Sequence, residues 1–357
     1  MHILSRYIGK TVFFTTLLTA FLVVSIDMLF LIVNELRAVG EGDYTVFKAV
    51  QYILLVSPSR LYFIFPMASL IGALLGLGLL AGHSELIVMR SAGVSILQIS
   101  GAVLRAALVL IKLVTLIGEF VVPHTVRYAE IFRENAIAGE QTLTTPQGTW
   151  VRSGKNFIRI KQILPNGELL GIIRYEFDQA NQLKNTAYAE RAEYLSATNQ
   201  WKVYNIKQTN LDQKPVTVEH VAEQEWNFDL QPRLLNVLVE QPDSLSVVGL
   251  YNYINYLQDN NLRAQEYILT FWKKIWQPFA TLVMVFIAIP VIFGPLRSAT
   301  MGLRLLTGVL LGFGFYILNQ LFGPLSLVYS PFPPLLAAML PSLLFAVGAV
   351  VLFRRIR

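Results

Sequence analysis

Six long apolar stretches divide the chain, three before a polar central segment and three after it. Each contains few or no charged residues, and its length approaches the roughly 20 residues that an α-helix needs to cross a bilayer. The stretches cover residues 11–33, 61–82, 96–122, 275–293, 305–322 and 334–353. This pattern predicts an α-helical membrane protein with six transmembrane helices in a three-plus-three arrangement.

The central segment changes from helical to alternating spacing between residues 142 and 228. Short β-prone runs at residues 150–152, 157–160, 169–175 and 201–206 are separated by turn-forming residues. The turn segments are Ser153-Gly154-Lys155-Asn156, Pro165-Asn166-Gly167 and Thr198-Asn199. We therefore predict an inserted all-β domain, an antiparallel sandwich that resembles a jelly roll. Its role stays open between a protein-binding or scaffolding domain and a groove that holds lipid.

These changes of pattern define three segments. We predict the first three transmembrane helices in residues 1–122, the β domain in residues 123–266 and the last three helices in residues 267–357. Residues 244–260 return to helical spacing and lead back into the fourth apolar stretch.

The basic residues behind the net charge of +6 are concentrated at one set of termini and loops. Short loops rich in Lys and Arg stay on the cytoplasmic side of a membrane. Both termini and the loops near residues 83–95 and 294–304 are therefore expected in the cytoplasm, and the β domain in the periplasm. Because topology accounts for the basic excess, nucleic-acid binding is not indicated. The prediction rests on Arg6, Lys10, Arg90, Arg297, Arg304, Arg354, Arg355 and Arg357, which are opposed by Glu85.

The sequence contains no combination of residues that indicates catalysis or a bound cofactor. Without cysteine, disulfides and thiolate metal sites are excluded. The run Gly9-Lys10-Thr11 matches the end of a nucleotide-binding P-loop, but Leu4 stands where the first glycine is required. The four histidines, which are His2, His83, His124 and His220, do not have the spacing of metal ligands. We expect a protein that is not an enzyme.

The predicted cytoplasmic loop at residues 82–93 has the features of a short surface helix. Ser84 can cap its start, Glu85 suits the positive N-terminal end, and Gly93 can terminate it. The helix would present Leu86, Ile87 and Met89 to a groove on a partner protein. The alternative is an interfacial helix that lies on lipid headgroups.

Several motifs along the whole chain resemble the LptF/LptG permease family of lipopolysaccharide export. They are Gly72 to Gly78 (Gly-Ala-Leu-Leu-Gly-Leu-Gly), Ser84 to Gly93 (Ser-Glu-Leu-Ile-Val-Met-Arg-Ser-Ala-Gly), Phe293-Gly294-Pro295-Leu296-Arg297, Met301-Gly302 and Phe322-Gly323-Pro324-Leu325. The segments Arg6 to Thr11 and Gly118 to Pro123 are similar to the LptG branch rather than the LptF branch.

The resemblance implies a permease subunit of an ABC transporter in the inner membrane of a Gram-negative bacterium. Such a subunit extracts lipopolysaccharide from the outer leaflet and passes it to a periplasmic bridge toward the outer membrane. The implied partners are an LptF-like permease, an LptB-like ATPase dimer that binds ATP and Mg, and LptC-like and LptA-like periplasmic proteins. Alternatives are a permease for another lipid or a lipoprotein, and a non-transporting membrane scaffold. In this family residues 83–93 correspond to the coupling helix, with Ser84, Glu85, Leu86, Met89 and Arg90 as ATPase contacts.

A lipopolysaccharide substrate requires cations for its phosphates and apolar walls for its acyl chains. Five cations lie near the predicted outer boundary, and we prefer Arg37, Arg127 and Arg133 over Lys48 and Arg60 because they flank the first and third spans. The resemblance implies that the fifth span lines the lumen. Its candidate wall residues share one helix face and are Leu305, Val309, Phe313 and Tyr316.

Two charges inside the apolar stretches require a partner. Asp27 and Lys112 lie at similar predicted depth, and an isolated charge there costs at least about 2.5 kcal/mol on insertion. We predict an ion pair between them. Pairs of glycines four residues apart, at positions 72 and 76, 78 and 82, and 308 and 312, predict close helix contacts that serve static packing or sliding at a lateral gate.

Overall fold

The computed structural model describes residues 2–138, 149–153, 156–164, 168–178, 182–195, 200–211, 217–226, 242–260, 262–294, 299–328 and 332–356. The predicted turns at Gly154-Lys155, Pro165-Asn166-Gly167 and Thr198-Asn199, and the basic residues Arg297 and Arg357, lie outside the described residues. The chain forms two compact units. The helical unit comprises Met1–Glu35, Ile53–Val126 and Gln265–Arg357, and the sheet unit comprises Leu36–Tyr52 and Arg127–Ala264.

Six long helices confirm the predicted three-plus-three arrangement. The helices before the sheet are α1 (His2–Glu35), α2 (Val46–Gly82), the short α3 (Glu85–Ser91), α4 (Ile96–Leu116) and α5 (Val122–Ala138), with a π-helical segment (Ile117–Val121) between α4 and α5. After the sheet come α6 (Val247–Asp259), α7 (Gln265–Phe293), α8 (Met301–Val328) and α9 (Pro334–Ile356). Six helical segments in the described part of the chain are long and apolar enough to cross a membrane: α1, α2, α4 with α5, α7, α8 and α9.

Helix α2 lies at the centre of the helical unit. Its most apolar window is 72% buried, compared with 22% for α1 and for α8. A Cβ atom on Gly72 would lie 2.4 Å from Cα of Thr16, and the Thr15 hydroxyl donates to the Gly72 carbonyl at 2.9 Å. The backbones of α1 and α2 therefore meet where a side chain is missing, as the glycine spacing predicted.

Helix α8 contacts the same central helix through the glycines at positions 308 and 312. A Cβ atom on Gly308 would lie 3.0 Å from a methyl group of Leu74, and one on Gly312 would lie 2.5 Å from Cγ of Met67. Both close contacts confirm the predicted packing role of this glycine pair. One side of α8 therefore packs against α2, and the opposite side is exposed.

A π-helical segment joins α4 to α5 where the chain passes the ring of Tyr62 on α2. A Cβ atom on Gly118 would lie 2.3 Å from the Tyr62 ring, so any other residue there would displace the tyrosine. The wider backbone turn of a π-helix re-aims the side chains that follow it. Gly118 is thus a third point at which α2 is contacted through a missing side chain.

The sheet unit contains a six-stranded antiparallel sheet, which confirms the predicted all-β insert. The strands are β1 (Thr149–Ser153), β2 (Asn156–Ile163), β3 (Leu169–Phe177), β4 (Leu183–Leu195), β5 (Gln200–Asn210) and β6 (Thr217–Trp226). Each strand pairs with the next in the chain, so the described strands form one meander. The sequence also predicted that the strands form an antiparallel sandwich. Alternation along a strand identifies a buried face but does not identify what covers it, so this packing stays a prediction.

The alternation of buried side chains slips by one residue partway along the sheet. In β4, Ala187 and Ala189 are buried and the next buried residue is Ala192. Glu190 of β4 lies at this slip, and its neighbours on the two adjacent strands have positive φ. They are Gly171 on β3, at 61°, and Asn205 on β5, at 53°. Glycine and asparagine are the residues that tolerate this conformation, so the sequence permits a change of direction across several strands at once. The side-chain amide of Asn205 links β5 to β4 by donating a hydrogen bond to the carboxylate of Glu190 at 2.8 Å.

Candidate functional site

The short helix α3 follows directly from the central helix α2, and its start differs from the prediction. Ser84 occupies the N-cap position, but its φ is 63° and its side chain makes no capping hydrogen bond. The Ser84 carbonyl instead accepts bonds from the amides of Ile87 and Val88, both at 3.1 Å. The predicted side-chain cap is therefore wrong, because a left-handed backbone at Ser84 turns the chain sharply between the two helices.

The end of α3 agrees with the prediction. Gly93 has a φ of 86°, its amide donates to the carbonyl of Arg90, and the amide of Val94 donates to the carbonyl of Met89. These two bonds form a Schellman motif, which requires a residue without a side chain at the left-handed position. The loop on both sides of α3 is thus held by backbone bonds and presents the helix in a defined orientation.

The two faces of α3 have opposite environments. Leu86 and Met89 are 4% and 7% exposed and belong to the core of the helical unit, whereas Ile87 and Val88 are 53% and 64% exposed. The prediction that Leu86 and Met89 are presented to a partner is wrong. Residues three apart share a helix face, and that face is turned inward here. The outward apolar pair is Ile87 with Val88, which the sequence did not distinguish from the inward pair.

Glu85 lies at the junction of α1 and α3. Its side chain is 31% exposed, its Oε1 lies 3.7 Å from Nδ1 of His83, and the hydroxyl of Tyr7 on α1 lies beside its carboxylate. The acid therefore has neighbours within its own chain. It remains accessible to a partner from one side, and Ser84 and Arg90 beside it are exposed.

A surface pocket of about 310 Å³ lies between α3 and the end of α7. Five of the seven residues in its wall are aliphatic or aromatic, and Arg90 and Ser91 contribute polar groups. A pocket of this kind can accept an apolar side chain from another protein. Its wall consists of Ala81, Leu86, Ile87, Arg90, Ser91, Ile292 and Phe293. Within the described part of the chain, no three His, Asp or Glu side chains form a group that can hold a metal ion.

Asp27 pairs with Arg60 of α2 and not with Lys112. Nε of Arg60 lies 2.6 Å from Oδ2 of Asp27, and Nη2 lies 2.9 Å from Oδ1, which is a bidentate arrangement. The predicted Asp27–Lys112 pair is wrong because Lys112 lies on the exposed face of α4. Depth alone did not distinguish the two cations. Arg60 lies near the outer end of the second apolar stretch, and that position was the available signal.

Comparison with known proteins identifies the family of this chain. Residues 6–355 match the family described as "Lipopolysaccharide export system permease LptF/LptG". The chain belongs to the LptF/LptG family. It is 40% identical over 354 residues to the lipopolysaccharide export system permease protein LptG of Escherichia coli K12, which covers 99% of this chain and 98% of that protein. It is 36% identical over 348 residues to LptG of Haemophilus influenzae, with 97% of both chains covered.

The four residues predicted to line the lumen in an LptF/LptG permease lie on one face of α8. Leu305, Val309, Phe313 and Tyr316 are 44%, 39%, 53% and 53% exposed, and the rings of Phe313 and Tyr316 stack at 6.4 Å. The glycines at positions 308 and 312 lie on the buried side. The structure thus separates a continuous apolar surface from the face that packs on α2. Its contact with lipid stays a prediction.

The three arginines predicted to bind phosphate have different surroundings within the sheet unit. Arg37 and Arg127 are exposed. Arg133 is half-buried, and its guanidinium lies 5.8 Å from the ring centre of Tyr44 and 5.7 Å from that of Tyr52. Cation–π contacts with two rings restrict the orientations of the Arg133 side chain. An LptF/LptG permease with this arrangement presents one cation beside two aromatic rings and two exposed cations, and their role in phosphate binding stays a prediction.

Proposed function

We propose that this chain is a permease subunit that exports lipopolysaccharide from the inner membrane of a Gram-negative bacterium. The family match over residues 6–355 carries this proposal, because it includes all six spans, the short helix α3 and the sheet. The subunit would take lipopolysaccharide from the outer leaflet and pass it to a periplasmic bridge. Its partners would be an LptF-like permease, an LptB-like ATPase dimer, and LptC-like and LptA-like proteins.

The proposed orientation places both termini and α3 in the cytoplasm and the sheet in the periplasm. Short basic segments resist translocation, and the segments at these ends are basic. Arg6 and Lys10 lie at the start of α1, and Arg354 and Arg355 lie at the end of α9. The loop that carries α3 contributes Arg90 to the same side.

We assign α3 the role of coupling helix for a partner ATPase, which would bind ATP and Mg. The exposed Ile87 and Val88 would enter a groove on the ATPase, and Glu85 and Arg90 would make polar contacts around it. Leu86 and Met89 face the other way, into the core that includes Leu77 of α2. They would carry force from the docked ATPase into the bundle, because a close-packed interior transmits displacement.

The substrate contacts follow from chemistry and exposure. Arg37, Arg127 and Arg133 would bind the phosphates of lipopolysaccharide, with Arg133 preorganised by its two tyrosines. The exposed face of α8, from Leu305 to Tyr316, would contact the acyl chains. Of these contacts, we expect Arg133 to contribute most, because a fixed side chain loses less conformational entropy on binding.

The decisive experiment uses Glu85→Lys in the complete complex, reconstituted in vesicles that contain lipopolysaccharide. We expect about tenfold weaker association with the ATPase and a parallel loss of ATP-dependent release, because truncating or reversing one charge of a contact pair leaves the other unpaired. Glu219→Lys, the same charge reversal at an exposed position of β6, is the control. Unchanged association and release in Glu85→Lys would contradict the coupling role.

Mass spectrometry of copurified lipid tests the proposed substrate. Another lipid or a lipoprotein in place of lipopolysaccharide would refute lipopolysaccharide as the substrate.

A further inference from the structure

Arg304, the fourth residue of α8, is a charged residue that the helical unit buries almost completely. Its exposure is 4%, and Nη1 of its guanidinium donates a hydrogen bond to the carbonyl of Gly78 near the end of α2. Burying an arginine is unfavourable unless its charge finds fixed polar partners. A charge-assisted bond between α8 and α2 is thus built into the interior.

The end of α2 is shaped to receive this side chain. A Cβ atom on Gly78 would lie 2.9 Å from Cδ of Arg304, and one on Gly82 would lie 3.9 Å from Nη1. Glycine at position 78 therefore leaves room for the arginine stem, and the carbonyl of the same residue accepts its bond. Gly82 is the last residue of α2, and α3 begins at Glu85.

The other contacts between α8 and α2 are of a different kind. At Gly308 and Gly312 the two helices touch through van der Waals contacts with Leu74, Ile71 and Met67. Contacts of this kind permit one helix to slide along another, whereas a hydrogen bond from a guanidinium to one carbonyl is directional. Arg304 therefore makes a directional contact that can fix the position of α8 along α2.

We propose that Arg304 is a positioning residue that makes α8 follow α2 when the loop carrying α3 moves. Motion of α3 would reach α2 through the backbone and reach α8 through the Arg304–Gly78 bond. The exposed face of α8 would then move with the coupling helix as one body. This inference rests on the proposed function, in which α3 receives the motion of an ATPase and α8 faces the substrate.

The test compares wild type with Arg304→Gln in the reconstituted complex. The chain contains no cysteine, so Ala92→Cys at the end of α3 and Leu310→Cys on α8 permit two spin labels at exposed positions. We expect the distance between the labels to stay constant on nucleotide binding in wild type, and to shift or broaden in Arg304→Gln. Release of lipopolysaccharide per ATP hydrolysed should fall about tenfold, the effect of losing one hydrogen bond to a charged group, while ATPase association is retained.

Three further variants separate positioning from stability. Gly78→Ala keeps the charge but displaces the arginine stem, and we expect the same change in label distance. Gly302→Ala is the matched control on α8, because a Cβ atom there would have no neighbour within 4 Å. Arg304→Lys keeps a donor without the planar guanidinium and should recover part of the coupling.

Unchanged label distances and an unchanged ratio of release to hydrolysis in both Arg304→Gln and Gly78→Ala would overturn the proposal. A loss of release that only parallels a loss of assembled complex, with unchanged label distances, would also overturn it. Failure of the proposed function is seen separately, as the absence of ATP-dependent lipopolysaccharide release by the wild-type complex.

Discussion

In the helical unit, other segments approach α2 closely where a side chain is missing, whereas the sheet buries large side chains. Helix α2 meets α1 at Gly72 and the π-helical segment at Gly118. In the sheet, Trp201 and Trp226 are 0% and 1% exposed. Helices surrounded by lipid gain no hydrophobic energy from each other and depend on close approach, while a sheet in water is stabilised by burial of apolar area.

Charged side chains also make different kinds of contact in the two units. In the sheet, the Arg174 guanidinium lies 4.3 Å from the ring centre of Trp226; burial lowers the pKa of Arg174, and Glu176 opposes that shift. The nearby pair of Lys202 and Glu223 spans two strands at 2.7 Å. In the helical unit, Asp27 and Arg304 instead connect different helices. Charged side chains thus connect strands of the sheet in one unit and connect helices to α2 in the other.

The largest expected effect comes from adding a side chain at a helix contact. Gly72→Ala would place its Cβ 2.4 Å from Cα of Thr16, so the backbone of α1 must move. We expect the free energy of unfolding to fall by about 2 kcal/mol, as for other overpacked interiors. Denaturant titration of the purified protein in detergent measures this change. Gly348→Ala, whose Cβ would have no neighbour within 4 Å, is the control, and equal stability of the two variants would contradict the comparison.

An intermediate effect is expected at the intramembrane ion pair. Asp27→Asn removes the charge that Arg60 contacts. We expect the free energy of unfolding to fall by about 1 kcal/mol, which is in the usual range for polar contacts between membrane helices. A double-mutant cycle of Asp27→Asn with Arg60→Gln should show coupling of similar size. The same cycle with Lys112→Gln should show none. Coupling to Lys112 in place of Arg60 would refute the observed pairing.

The smallest effect is expected at the exposed pair of Lys202 and Glu223, because solvent and salt weaken such pairs. The hydrogen bond to Glu223 raises the pKa of Lys202 above its ordinary value. A raised pKa in the folded state means that the pair contributes fully to the stability of the fold below the ordinary lysine pKa of about 10.4. It is lost as the pH rises through the folded-state value. The melting temperatures of wild type and Lys202→Met should therefore converge at high pH, and a constant difference would contradict this assignment.

The sequence predicted the elements of this protein well because each leaves a local signal. Six long apolar stretches predicted six helices, alternation predicted strands, and Gly93 supplied the left-handed residue at which α3 ends. The glycine pairs also predicted close contacts that the structure confirms at positions 72 and 308. Each of these features depends on composition or spacing within a short segment.

The details of the candidate site were predicted less well because they depend on contacts between distant segments. The sequence predicted that Leu86, Ile87 and Met89 are presented to a partner, and it did not determine that Leu86 and Met89 turn inward. It did not place Tyr7 beside Glu85, nor Arg60 beside Asp27. In each case several partners of suitable chemistry exist, and the choice among them follows from helix rotation.

The sequence by itself determined which segments enter the membrane, where the sheet is inserted and which residues end α3, because hydropathy, alternation and backbone preference act over a few residues. Only the tertiary structure decided how each helix is rotated about its axis, and hence which charges pair and which side chains stay exposed. Rotation is selected by the fit of neighbouring helices around α2, with glycines on one side and Arg304 at one end. That fit is a property of the assembled bundle.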